Sequence, residues 1–109
     1  MFSLLLLPVL LAAACEKAYQ PPTYIETDGV KVETPKLQAV FASAPTYDQK
    51  AAVAQVAEGV RYRQYDKALA ALEALSNDAT LTPEQKKVVE EVTGQVKQAA
   101  SKAAARAPK

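Results

Sequence analysis

Along residues 82–103 the apolar positions recur with the period of an α-helix. At about 100° per residue, Val88, Val89, Val92, Val96, Ala99 and Ala103 share one side of a helical projection, and Glu84, Lys87, Glu90, Gly94 and Lys97 share the other. The start is marked by Thr82-Pro83-Glu84-Gln85. The Thr82 hydroxyl can accept from the Gln85 amide while the Gln85 side chain accepts from the Thr82 amide, which forms a capping box. Pro83 falls at the first helical position, where no N–H is needed. Gly94 costs about 1 kcal/mol relative to alanine inside a helix, on the face that meets water.

A second capping box, Thr46-Tyr47-Asp48-Gln49, follows Pro45 and opens another helical run. Val53, Val56, Ala57 and Val60 form its stripe, and Tyr65, Ala68, Leu69, Leu72 and Leu75 form the next. On one straight helix the two stripes would be rotated apart by roughly 100°. A turn near Arg63 and Gln64 that splits the run into two helices resolves this, with a single bent helix as the alternative. The short loop 77–81 makes the Tyr65 and Thr82 helices antiparallel neighbours.

Upstream, residues 16–45 shift to prolines, threonines and isolated charges, which reads mostly as tether. Inside it, Thr23 to Thr27, then Asp28-Gly29, then Val30 to Thr34 fit a hairpin with a type I′ turn. That register sets Glu26 opposite Lys31 and Ile25 opposite Val32. A lone hairpin is marginal in water, so this one persists only if Ile25, Thr27, Val30 and Val32 lie against the helices or another protein. Leu37, Val40 and Phe41 stand at helical spacing and predict a short docking helix. The fold class is therefore mainly α. A small helical hairpin or three-helix body over 46–103 follows a Pro/Thr-rich linker within 15–45 that carries the β-hairpin at 23–34, and a basic flexible tail closes the chain at 104–109.

Phe2 to Ala14 is apolar except for Ser3 and Pro8, and as a helix it rises only about 20 Å, short of a bilayer core of about 30 Å. It reads as a signal peptide over 1–14. The end of the run, Ala12-Ala13-Ala14-Cys15 after Leu10 and Leu11, resembles the lipobox of bacterial lipoprotein precursors. It departs from that pattern in having Ala12 where leucine is usual and no basic residue ahead of the run. The resemblance implies cleavage after Ala14, a covalent lipid on Cys15 and membrane anchoring. With Glu16 rather than aspartate next, it implies the outer membrane, facing the periplasm.

Tyr65-Asp66-Lys67-Ala68-Leu69, with Leu72 and Leu75 following and Gly59 before, resembles the helix pair of a tetratricopeptide repeat. The 34-residue spacing of that family is not kept and no second copy is present. In that family a tyrosine and a small alanine pack against the preceding helix. The resemblance implies a helical hairpin used for protein contact, with Tyr65, Leu69, Leu72, Val88, Val89, Val92 and Val96 as the interaction face. The alanine-rich end with Lys102, Arg106 and Lys109 is similar to the C-terminus of the murein lipoprotein family, whose final lysine is linked to peptidoglycan.

Composition narrows the chemistry. The chain of 109 residues has no histidine and one cysteine, and its net charge is +1. No intrachain disulfide can form, and zinc sites of the usual Cys and His kinds are excluded. The serines have no base to activate them, the glycines stand singly at 29, 59 and 94, and near-neutral charge disfavours nucleic acid. The expectation is a lipid-anchored, non-enzymatic interaction module with no cofactor beyond the lipid on Cys15 and no metal. Its partner would be an envelope protein or a second copy of the chain. The alternatives are a tether to peptidoglycan through Lys109, or a small inhibitor or immunity lipoprotein. Because the valine- and alanine-rich core is small, it needs a staple: the arm, a second copy or a partner. Lys86 with Glu90 and Lys87 with Glu91 have the spacing of surface ion pairs.

Overall fold

The computed structural model describes residues 23–43 and 45–106. The fold is mainly α with a short antiparallel hairpin. The hairpin strands are β1 (Ile25–Thr27) and β2 (Val30–Val32), followed by α1 (Thr34–Val40), α2 (Tyr47–Arg61), α3 (Tyr65–Ser76) and α4 (Pro83–Arg106). The expected signal peptide and the Cys15 site lie outside the described residues, as does Lys109.

Both capping boxes form. The Gln49 amide donates to Thr46 Oγ1 at 3.1 Å while the Thr46 amide donates to Gln49 Oε1 at 3.1 Å. The Gln85 amide donates to Thr82 Oγ1 at 3.1 Å, and Thr82 N donates to Gln85 Oε1 at 3.0 Å. Gln85 also donates from Nε2 to the carbonyl of Val40 at 3.0 Å, so one side chain opens α4 and closes α1. At the other end of α1, Gln95 Oε1 accepts from the Glu33 amide at 2.8 Å, satisfying a donor that α1 itself leaves free.

The run 46–76 divides into two helices, and its break is a Schellman motif. Gln64 N donates to the Gly59 carbonyl at 2.7 Å and Arg63 N to the Val60 carbonyl at 3.3 Å. This motif needs a left-handed residue, and Arg63 adopts φ 60 there without being glycine. The approach of α3 to α2 is close at one point. A Cβ added to Gly59 would stand 2.9 Å from the Ala68 Cβ, the Ala68 amide nitrogen and the Gln64 carbonyl oxygen.

The arm corrects the expectation of a tether. Residues 25–41 belong to the body: Val30, Val32, Leu37 and Phe41 are buried in the same core as Val53, Val56, Val60, Leu72, Leu75 and the valines of α4. The register is the expected one, Ile25 with Val32, Glu26 with Lys31 and Thr27 with Val30. The arm is one of the staples expected for the small core, packed on it through β2 and α1. The body thus runs from 25 to 106, beyond the 46–103 expected. At its far end, 104–106 are the last turn of α4 rather than a flexible tail, with 107–109 outside the described residues.

A polar cluster fastens the hairpin. Asp28, at φ 50 in the turn, is only 4% exposed in its side chain. It accepts from Arg63 Nη2 at 2.7 Å, from Arg63 Nε at 3.1 Å and from the Tyr65 hydroxyl, and Arg106 Nη1 lies 3.6 Å away. Since the tyrosine proton goes to Asp28, Thr27 Oγ1 must be the donor in its 2.6 Å bond to Tyr65 Oη. One carboxylate therefore joins the hairpin turn to the α2–α3 corner and to the end of α4. A second, half-buried tie links α2 to the α3–α4 loop, where Gln49 donates to Asp78 at 2.9 Å and Asp78 accepts from the Thr80 amide at 2.8 Å. The expected Lys86–Glu90 and Lys87–Glu91 pairs are not among the ion pairs of the described residues. Glu91 instead meets Lys36 of α1 at 3.4 Å, because α1 packs along that side of α4.

The two helical glycines predict opposite outcomes for the same substitution. Gly94 has nothing within 4 Å of an added Cβ, so Gly94→Ala should raise unfolding free energy by up to about 1 kcal/mol. Gly59→Ala should lower it, because forced overpacking costs about 1–3 kcal/mol and exceeds the same helical gain. Urea unfolding of both variants checks the signs. A second expectation concerns acid. Hydrogen bonds from Tyr65 and then Arg63 hold the Asp28 carboxyl below its ordinary 3.8, and bonds from Thr80 do the same for Asp78. A carboxyl lowered on folding stabilises the fold above its unfolded value, and that contribution disappears as pH falls through the lowered folded value. Asp28→Asn should therefore reduce the urea midpoint at pH 7 and reduce it much less near pH 2. An equal reduction at both pH values would show that Asp28 acts through shape alone.

Candidate functional site

The residues expected to form an interaction face are placed in two groups. Tyr65, Leu72, Val88, Val89, Val92 and Val96 are buried, the last four at 3% exposure or less. This corrects the expectation of an open face: β2, α1 and α3 all pack on α4 and fill its valine stripe from within the chain. Leu69 is different. It is only partly buried and lies at the edge of the core.

Leu69 opens onto a groove of about 510 Å³ between α3 and α4. Its floor is the outer edge of Leu72 and Val89, and its walls are Glu73 and Ser76 on α3 and Glu90, Thr93, Gly94 and Lys97 on α4. The antiparallel hairpin made by the short 77–82 connection creates this shape. Two packed helices leave a furrow along their outer seam, and its depth depends on the side chains at its rim. At Gly94 there is no side chain, and no atom occupies the space where one would stand. Thr93, which lines the groove, donates its hydroxyl to the Val89 carbonyl at 2.7 Å. Glu90 and Lys97 are exposed and have no ion-pair partner among the described residues.

A second concavity, about 720 Å³, lies beside the Asp28 cluster and is bordered by Arg61, Arg63 and Arg106 together with Glu26 and Asp28. Its charges largely answer one another. Asp28 engages two of the guanidinium groups, and the C-terminal ends of α2 and α4, which are the negative ends of those helices, meet there. With its carboxyl held in the ionised form by donors on several sides, Asp28 is a fastening group and is poorly suited to take up a proton. Sequence patterning alone could mark the Asp28-Gly29 turn, but nothing in the spacing of Asp28, Arg63, Tyr65 and Arg106 signals that they meet.

Of the basic tail, Lys102 is exposed on α4 and Arg106 is turned toward Asp28, while Lys109 lies outside the described residues. Cys15 and Ala14 also lie outside them. Among the described residues no group of three or more Cys, Asp or Glu side chains is arranged to hold a metal ion, and no helix is long and apolar enough to cross a membrane. Compared with family models, curated proteins and solved structures, the chain matches none.

Proposed function

We propose that this chain is a small non-enzymatic interaction module, held on a membrane by a lipid on Cys15, that receives a helical segment of another protein chain in its α3–α4 groove. The observation that carries the reading is the pairing of partly exposed Leu69 with the vacant position above Gly94. Apolar edges of Leu72 and Val89 below, and charged residues at the rim, give the groove the pattern of an interface core with a polar border. A helix laid in such a groove uses residues at helical spacing as anchors. The lipobox-like Ala12-Ala13-Ala14-Cys15 supports the anchor, and the outer membrane facing the periplasm is the proposed location.

Three measurements test this. Cys15→Ser should leave the chain unlabelled by a fatty-acid probe in cells, and continued labelling would remove the anchor from the reading. A photo-cross-linking residue placed at Glu73 in the groove should give adducts with a protein chain of any identity, whereas the same residue at Gln55 on the exposed side of α2 should give none. Equal adducts from both positions, or none from either, would remove the groove. If isolated peptidoglycan binds the full chain and loses that binding when Lys109 is deleted, the tether replaces the interaction reading.

A further inference from the structure

We infer that the Asp28-Gly29 peptide is a modification site of this chain, the place where isoaspartate forms spontaneously, and that the contacts of Asp28 with Arg63, Tyr65 and Arg106 hold the reaction off while the hairpin is seated.

The reaction needs an aspartyl side chain beside an unhindered amide. Gly29 is the one glycine of the chain that follows Asp or Asn, since Gly59 follows Glu58 and Gly94 follows Thr93. Its nitrogen attacks the side-chain carboxyl carbon of Asp28. A C–N bond forms, the carboxyl hydroxyl leaves as water with the amide proton, and a five-membered imide results. Water then opens the imide at either carbonyl. Opening on the side-chain side restores aspartate, and opening on the main-chain side routes the backbone through the former side chain. Mass is unchanged overall, and water is the only co-reactant. Glycine favours the attack because it has no Cβ to crowd its nitrogen and turns freely about φ. Gly29 is exposed, and its amide donates to no group in the turns and loops of the described residues.

Nucleophile and electrophile are therefore neighbours, kept apart by the hold on the carboxylate. Arg63 grips both oxygens, with Nη2 2.7 Å from Oδ1 and Nε 3.1 Å from Oδ2. The Tyr65 hydroxyl donates to Oδ2 as well, and Arg106 Nη1 stands 3.6 Å from Oδ1. A bidentate fork of this kind fixes the plane of a carboxylate as well as its position. To bring its carbon to the Gly29 nitrogen, the side chain must turn away from these donors and break both bonds to Arg63. Its side chain is 4% exposed, so water does not replace what it loses. The same donors favour the ionised carboxyl, whereas water leaves only from the protonated one.

Conversion also destroys the latch. Isoaspartate adds one carbon to the main chain inside a two-residue turn whose φ values are 50 and 76. Its carboxylate sits directly on Cα, a methylene short of Arg63. An aged copy thus loses the tie that sets buried Val30 and Val32 on the core.

The test incubates the full chain at neutral pH in a non-ionic detergent and digests it. Electron-transfer fragmentation then separates isoaspartate from aspartate at position 28. The folded parent should convert at least about tenfold more slowly than the same chain in guanidinium chloride. Arg63→Gly suits the left-handed backbone at 63 while removing both Arg63 bonds, so it should raise the folded-state rate about tenfold. Tyr65→Phe keeps the ring in the core and should raise the rate less. Gln49→Ala cuts the separate tie to Asp78 and lowers stability without touching Asp28, so it should keep the parent's rate. The isolated isoaspartyl chain should unfold at lower urea than the parent. A folded parent that converts as fast as the unfolded chain would overturn the proposal. So would a parental rate in whichever of Arg63→Gly and Tyr65→Phe keeps the parent's circular dichroism. Acceleration by Gln49→Ala equal to that by Arg63→Gly would overturn it too, because overall stability would then be the protection.

Discussion

The fold depends on the breadth of the apolar arc on α4. Val89 leans toward α3, but Val88, Val92, Val96 and Ala99 continue around the helix beyond what one neighbour can cover, and all five are buried. A two-helix hairpin would leave part of that arc in water. The remainder is covered by β2 and α1, which contact α4 directly and contribute Val30, Val32 and Leu37. What reads by composition as a linker is recruited because its apolar residues have an unpaired surface to meet. Burial of this kind is also what rescues a two-stranded hairpin from its marginal stability in isolation.

Recruitment alone would leave the hairpin free to slide, since valine contacts are not directional. The polar ties set its position. Asp28 fixes the turn against Arg63, Tyr65 and Arg106, and Gln95 donates to and accepts from Glu33 where the hairpin leads into α1. The two non-glycine residues with positive φ among the described residues, Asp28 and Arg63, are partners in the same ion pair. Left-handed backbone costs an ordinary residue about 1–2 kcal/mol, so both positions carry a local penalty that the shared contact offsets. Side chains that need one another tolerate backbones that glycine would otherwise supply.

Local rules explain which parts of this arrangement could be read in advance. Both capping boxes, the helix spans and the hairpin register depend on residues two to five apart, so their signals are contiguous. Val88 and Leu72 fall on apolar stripes in the sequence and are buried in the fold, yet the stripes alone do not tell a face that meets a partner from one filled internally, because that difference is decided by how the arm folds. The turn near Arg63 and Gln64 is legible from the rotation between the two stripes although no glycine or proline marks it, whereas the tie from Arg63 to Asp28, 35 residues earlier, has no contiguous signal. The groove has no signal of its own: Leu69 is one of seven residues on the expected face and Gly94 reads only as a glycine on the wet side of its helix, and the α3–α4 packing brings them to one furrow.

The consequence for function lies in how little of the valine stripe the fold leaves exposed. After the arm is seated, that stripe is closed and the Asp28 cluster is internally compensated, so a contact at the α3–α4 groove rests on modest features: the Leu69 edge, the missing side chain at Gly94 and the charged rim of Glu73, Glu90 and Lys97. Such a contact is weak between molecules diffusing freely, since ordering and lost mobility consume much of what a small interface supplies. On the proposed lipid anchor the balance changes. Confinement to one membrane surface raises the local concentration of the module and its partner and aligns them, and a tethered encounter gains by that effective concentration without any new contact. A small core and a shallow groove are then consistent with a module whose association is governed by where it is held as much as by what it touches.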